Sequence, residues 1–223
     1  MLLSIHIPKT AGTNFTHTLE YLFGDRIHMD YGTERNLIAA RTCSPEIKAD
    51  PAGFAKRYDV IHGHYHFLKY SNVFPTAQTL ATLRHPVSRV VSQYRHIALH
   101  GDRSVERHRL IMDGEMALTH FARFRFIGNA QSVCLEGLDI DDLDHAIIQE
   151  HFPATVARFC SAMDFDHKDE RIRKLVSNPI NSRENSAWDS KAVPIDPATF
   201  PEVEKYCQAD MDLYNRAVER FVA

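Results

Sequence analysis

The chain has 223 residues, 44 % hydrophobic and 25 % charged, with a formal net charge of −3. This is the composition of an ordinary globular protein, which excludes a disordered tail, a coiled coil and a collagen-like rod, and the length suits one domain, 1–223, with a sizeable core. A negative total also argues against a nucleic-acid binder, although 84–125 carries eight arginines, no lysine and four acidic residues, a local excess that points to an anion site.

No apolar run approaches the roughly 18–20 residues of a membrane helix, and the Met1-Leu2-Leu3-Ser4-Ile5 start is too short for a signal peptide. If the chain is complete at Met1, it is expected in the cytoplasm. Cys43, Cys134, Cys160 and Cys207 are far apart and form no C-x-x-C pair. That spacing argues against a zinc ribbon and a dense disulfide framework, and for a reducing compartment.

In chain order, Leu2–Ile7 reads as a short buried strand, followed after Pro8 by a helix with Phe15, Leu19, Leu22 and Phe23 on one stripe and Gly24 at its end. Asp59–Gly63 and Thr79–Arg84 read as further buried strands. Pro86 then opens a helix whose apolar stripe is Val87, Val90, Val91, Tyr94 and Ile97. Leu118, Phe121 and Phe124 suggest one helix. Leu143, Ala146 and Ile147 suggest another, inside the acidic stretch Glu136–Glu150, which reads as a solvated helix face. A short strand is expected near Ala154–Arg158. Pro179–Pro201, with four prolines among polar residues, reads as a long surface loop, and Val203 to Phe221 as a closing helix. Strands alternating with helices predict an α/β fold, a mostly parallel sheet covered by helices on both faces with a helix-rich second half. Ligands of such sheets bind at the carboxyl ends of the strands, so function is sought in the loops that follow them.

The loop after the first strand is His6-Ile7-Pro8-Lys9-Thr10-Ala11-Gly12-Thr13-Asn14. Small residues and a lysine between strand and helix let backbone N–H groups and a helix N-terminus surround a phosphate-like anion. It is not a Walker A loop, whose glycines would fall at Leu3 and Pro8. After the third predicted strand, Arg84 precedes the helix start, with Ser88 and Ser92 one turn apart on the helix flank. Arginine and hydroxyl near a helix N-terminus suit a second phosphate. Taken singly, each segment also reads as an ordinary turn with solvated polar residues.

Together these residues resemble the carbohydrate-type sulfotransferases that use 3′-phosphoadenosine 5′-phosphosulfate (PAPS). That family's first loop commonly reads P-K-T-G-G-T-S, here with Ala11 for Gly and Asn14 for Ser. Its R-[HD]-P-x-x-R-x-x-S-x-Y stretch matches Arg84 to Tyr94 at every fixed position. Ile61-His62-Gly63-His64-Tyr65-His66-Phe67-Leu68 is similar to the H-G-H-x-x-[FY]-L region of the uronyl 2-O-sulfotransferases. Asn129-Ala130-Gln131-Ser132, Ala157-Arg158-Phe159 and Asp212-Leu213-Tyr214 are weaker echoes.

The resemblance implies a P-loop-like sulfotransferase fold and transfer of a sulfuryl group from PAPS to a hydroxyl of a carbohydrate or similar polyol, leaving 3′,5′-adenosine bisphosphate. Lys9, Thr10, Ala11, Gly12, Thr13 and Asn14 would hold the 5′-phosphosulfate, and Arg84 with Ser92 the 3′-phosphate. His64 would deprotonate the acceptor, with His62 as second candidate or helper, and Lys9 would neutralise charge on the leaving phosphate. A base working near neutral pH suits histidine, whose ordinary pKa is about 6.5. Alternation along a strand end would send His62, His64 and His66 to one side, where a zinc site or plain partly exposed histidines are the competing readings. Trp188 is either an acceptor or adenine platform or the anchor of its own loop, and the loop around Arg183-Glu184-Asn185-Ser186 falls where the family often covers the cofactor. A nucleotide-dependent small-molecule kinase is the alternative function, and a non-catalytic nucleotide- or metal-binding protein of the same fold the third.

Overall fold

The computed structural model describes residues 1–10, 12–32, 38–177 and 193–222. In chain order these form β1 (Leu2–Ile5), α1 (Gly12–Phe23), β2 (Ile27–Asp30), α2 (Pro45–Ala49), α3 (Pro51–Arg57), β3 (Val60–Gly63), β4 (Gln78–Leu83), α4 (Pro86–His100) and α5 (Glu106–Met112). There follow α6 (Leu118–Ala122), α7 (Arg125–Gly128), α8 (Ala130–Cys134), β5 (His145–Ile148), α9 (Phe152–Ala162), α10 (Glu170–Ser177), α11 (Phe200–Lys205) and α12 (Gln208–Phe221). The strands form one parallel sheet in the order β2-β3-β1-β4-β5.

The period of two along each strand divides the core. Leu2, Val60, Leu80 and Ile147 join Phe15 and Leu19 of α1, Val156 and Phe159 of α9 and Ile172 of α10 on one face. Leu3, Ile5, Ile61, Ala81, Leu83 and Ile148 join Tyr214, Ala217 and Phe221 of α12 on the other. A sheet covered on both faces needs apolar residues at nearly every strand position, which is why the strands read as apolar runs rather than alternating ones. Each fully buried Leu or Ile contributes about 1.5–3 kcal/mol relative to exposure. A third cluster, around Val87, Val90, Tyr94, Ile111, Phe121 and Val203, packs α4 to α7 and α11 together and forms the helical second half.

The α/β expectation and the first three strands hold, with β2 added at the sheet edge. The acidic stretch differs. His145–Ile148 is a fully buried strand paired with β4, not a helix. A four-residue apolar run cannot be told from one buried helical turn by periodicity, and here the sheet edge at β4 decides. Its carboxylates are solvated as expected but not on a helix, and some tie the backbone locally: Asp144 accepts from the Thr79 N–H and hydroxyl, and Asp139 accepts from the Asp141 N–H. The strand expected near Ala154–Arg158 lies inside α9, where Phe152, Thr155, Val156, Phe159 and Cys160 are buried at helical spacing behind Pro153 in the first turn.

The helix expected through Phe124 breaks into α6, α7 and α8, with Phe124 exposed at the α6–α7 break. The closing helix is two, α11 and α12, separated at Tyr206–Cys207, and the Tyr206 carbonyl released there accepts the Asn129 side-chain amide at 2.8 Å. Most of the expected loop Pro179–Pro201, including Arg183, Glu184, Asn185, Ser186 and Trp188, lies outside the described residues, as does Ala11. Among the described residues no helix is long and apolar enough to cross a membrane.

Candidate active site

Three adjacent central strands, β3, β1 and β4, send their carboxyl ends to one edge of the sheet, and the three loops singled out from the sequence leave from those ends. Ser4 pairs in register with His62, so the two side chains share the face covered by α1. The Ser4 hydroxyl lies 2.8 Å from His62 Nδ1, and the hydroxyl of Thr16 on α1 lies 2.8 Å from Nε2. Thr16 spends its own hydrogen on the Gly12 carbonyl, so Nε2 is the donor in that pair. With both nitrogens engaged and no exposure, His62 is a held group; burial, aided by the nearby His64, brings its pKa down to about 3.

His6 continues the same parity past the end of β1 and stacks on His62, the ring centroids 5.5 Å apart and the planes 9° from parallel. It also meets the His64 ring at 4.4 Å, and its Nδ1 lies 2.8 Å from the Tyr31 hydroxyl. Burial, then the nearby His64, His62 and Lys9, push its pKa well below the usual histidine value. His64 is the least buried member of the trio, though its Nε2 is itself buried, and is edged by the Tyr31 ring at 4.8 Å. Gly63 makes the turn into His64 feasible, because a Cβ there would sit 1.8 Å from the Asp30 carbonyl oxygen, while the His64 N–H donates to that oxygen at 3.0 Å. His66 does not join the trio. The strand ends at Gly63 and alternation lapses, so His66 Nδ1 turns to the Val133 carbonyl at 3.0 Å, with Arg41 Nε 3.3 Å away.

The loop after β1 is braced by a closed ring of hydrogen bonds. The Ile7 N–H donates to the Thr82 hydroxyl at 3.2 Å, and Thr82 pairs at 2.6 Å with the Thr10 hydroxyl, which donates to the Ile7 carbonyl at 2.7 Å. Thr10 is wholly buried, so its side chain shapes the loop and only its backbone remains for a ligand. Lys9 adopts φ 72°, the left-handed conformation that costs a non-glycine residue roughly 1–2 kcal/mol. Gly12 opens α1 directly beneath His6: a Cβ would lie 1.7 Å from His6 Nε2. Thr13 is exposed in the first turn and Asn14 buried.

Arg84 leaves the end of β4 and donates from Nη1 to the Lys9 carbonyl at 3.2 Å, which lays the guanidinium against the loop. Burial and the Arg84 charge lower the Lys9 pKa. Among the described residues no carboxylate pairs with the Lys9 ammonium. Two like charges are thus brought together beside the N-terminus of a twelve-residue helix, an arrangement whose electrostatics favour an anion. Ser92 is half-buried on α4, on the flank it shares with Ser88, while Arg89 is fully buried and donates to Gln93 Oε1 at 2.7 Å and to the Ile127 carbonyl. His96, one turn beyond Ser92, is held at a pKa of about 4 by burial and by the charge of Lys9.

Lys9, Gly12, His62, His64 and Arg84 are therefore brought to one sheet edge. Sequence reasoning missed His6, Tyr31, Thr16 and His96. The parity of Leu2, Ser4 and His6 against Val60, His62 and His64 was a signal for the first; the partners of Tyr31 and His96 depend on where β2 and α4 end in space.

No curated protein matches this chain. Among solved structures it is similar to the mouse sulfotransferase SULT7A1 complexed with PAP, with 12 % identity over 97 % of this chain and 83 % of that one and a TM-score of 0.43. The model of the sulfotransferase family matches residues 1–142, which contain all three loops of the site. With that span covering well over half of its length, the chain belongs to the sulfotransferase family, whose members take the sulfuryl group from PAPS.

Proposed function

We propose that the protein transfers the sulfuryl group to a hydroxyl of a carbohydrate or similar polyol, with His64 as general base and the cofactor held between the β1 and β4 loops. The observation that carries this reading is the meeting of the partly exposed His64, the Lys9–Gly12 loop and Arg84 at the ends of three adjacent strands. The donor set fits the group. Lys9, the N–H groups from Thr10 to Thr13 and the N-terminus of α1 would take the 5′-phosphosulfate, with Asn14 beside them. Arg84 and Ser92 would take the 3′-phosphate, the feature that separates PAPS from ATP.

When bound, PAPS supplies a sulfur open to in-line attack and a phosphate leaving group. Such a reaction asks the protein for positioning and charge neutralisation more than for covalent chemistry. His64 takes the acceptor hydroxyl proton as the new O–S bond forms, and Lys9 offsets charge on the departing phosphate. His62, with both nitrogens engaged by Ser4 and Thr16, would act as a helper by seating the His6 ring that in turn meets His64. The HGH resemblance and the exposed Tyr31 ring beside His64 support a ring-shaped polyol acceptor, since a sugar face stacks on an aromatic ring. Four free cysteines support a reducing, cytoplasmic setting.

The deciding experiment is calorimetric binding of 3′,5′-adenosine bisphosphate, 5′-AMP and ATP to the wild type and to Arg84→Ala. Preference for the bisphosphate, lost in Arg84→Ala, is the expected result. Preference for ATP, or equal affinity for bisphosphate and 5′-AMP, overturns the cofactor assignment.

A further inference from the structure

Arg84 stands where neither sheet nor helix can satisfy its backbone. The β4–β5 pairing ends at Leu83 opposite Ile148, the β1–β4 pairing ends at Ala81, and α4 begins only at Pro86. The side-chain amide of Gln131 fills both gaps. Its Oε1 accepts the Arg84 N–H at 2.9 Å, and its Nε2 donates to the Arg84 carbonyl at 2.9 Å, so one fully buried side chain replaces a missing strand neighbour.

Gln131 is fixed in turn by the last helix. Asp210 of α12, also fully buried, accepts the Gln131 N–H at 3.0 Å, the Ser132 N–H at 2.7 Å and the Ser132 hydroxyl at 2.8 Å. Its own N–H donates to Asn129 Oδ1 at 3.1 Å. One turn further along α12, the Tyr214 hydroxyl holds Glu150, whose other oxygen accepts the His85 N–H at 3.1 Å. Both residues that follow β4 are thus tied, through one intermediary each, to a helix that lies beyond the family-matched segment.

We infer that Gln131, braced by Asp210, is a positioning residue that sets the direction of the Arg84 guanidinium and thereby the affinity for the 3′-phosphate. The inference rests on the reading that Arg84 holds that phosphate. An amide bonded to both backbone groups of a residue leaves its side chain one launching direction, and a charged contact to phosphate depends steeply on that direction.

The test compares Kd for 3′,5′-adenosine bisphosphate and for 5′-AMP by calorimetry, the difference isolating the 3′-phosphate, in full-length wild type, Arg84→Ala, Gln131→Met, Gln131→Glu and the double variant Arg84→Ala/Gln131→Met. Melting temperature is followed in each. Gln131→Met is expected to weaken the bisphosphate about tenfold and 5′-AMP by less than about twofold, with no added loss on the Arg84→Ala background. Gln131→Glu keeps the acceptor half of the clamp and recovers part of the affinity.

Equal weakening of both nucleotides, or the same Gln131→Met loss with Arg84 absent, makes Gln131 a purely structural residue and overturns the inference. Unchanged bisphosphate binding in Arg84→Ala overturns the 3′-phosphate reading itself, and the inference with it, by a different arm of the same experiment. If Gln131→Met does not fold, Asp210→Asn reads the same coupling from the other end of the chain. A bisphosphate-selective loss supports the inference, and a loss shared by 5′-AMP overturns it.

Discussion

The two halves of the site are built by different means. The histidine half, Ser4, His6, His62 and His64, lies along two paired strands, and in-register pairing of Ser4 with His62 dictates who touches whom. The cation half, Lys9 and Arg84, is held by groups remote in sequence: Thr82 under the β1 loop, Gln131 on both sides of Arg84, and Asp210 behind Gln131. The first half is set by the parallel ladder and the residues just past its ends; the second depends on contacts between the sheet and the helical region. On the proposed reading, proton removal rests on the sheet, and anion binding on the contact between sheet and helices.

The sharpest break between the halves comes from His64→Ala. Loss of a general base costs roughly 10²–10⁴ in rate. Turnover should fall by that amount while affinity for 3′,5′-adenosine bisphosphate stays within error. Normal turnover would remove His64 from the mechanism. Arg84→Ala should do the converse, weakening the bisphosphate by about 1.5–3 kcal/mol, the worth of a hydrogen bond to a charged group, with 5′-AMP little changed.

Where the halves touch, Gly12→Ala drives a methyl group into the His6 ring, from 1.7 Å at Nε2. Overpacking of this kind costs about 1–3 kcal/mol, and the double variant Gly12→Ala/His6→Ala should regain most of the lost stability. If Gly12→Ala melts as the wild type does, His6 is not seated over the loop.

The smallest effect is on stability against pH. His62 has its pKa lowered to about 3, so between that value and 6.5 the unfolded chain binds a proton that the folded chain refuses, and burial shifts His6 in the same direction. The His62 contribution to stability is complete above pH 6.5 and falls as pH drops toward 3, by roughly 1.4 kcal/mol per unit, and His6 adds to the fall in the same sense. Denaturant unfolding at pH 7.5, 6.5 and 5.5 should show that slope beginning near 6.5. A flat profile would mean that these rings are not held neutral.

Much of this was legible beforehand. The strand-end position of the Lys9 loop, the helix start at Pro86 and the HGH pair follow from turn-forming residues and apolar runs, which act over a few residues. Other features were not. Ala146-Ile147-Ile148 fits a buried strand and a helical turn equally, and only the open edge of β4 selects the strand. Thr155 and Val156 favour a strand locally, yet Pro153 and the burial of Phe152, Phe159 and Cys160 make one helix of them. Gln131 looked like a family echo with no job because its partner, the Arg84 backbone, is 47 residues away.

The sequence by itself determined the α/β architecture and the family and pointed to a candidate anion loop and a candidate base, because these depend on local periodicity, on turn chemistry and on residues a few positions apart. Tertiary structure alone decided that His62 is locked while His64 is partly exposed, that His66 turns away, that His6 and Tyr31 join the cluster, and that Gln131, bonded to the last helix, caps the Arg84 backbone. Those outcomes depend on which donors and acceptors meet across the sheet and on how much water each ring loses. Both are properties of the packed chain and not of any segment within it.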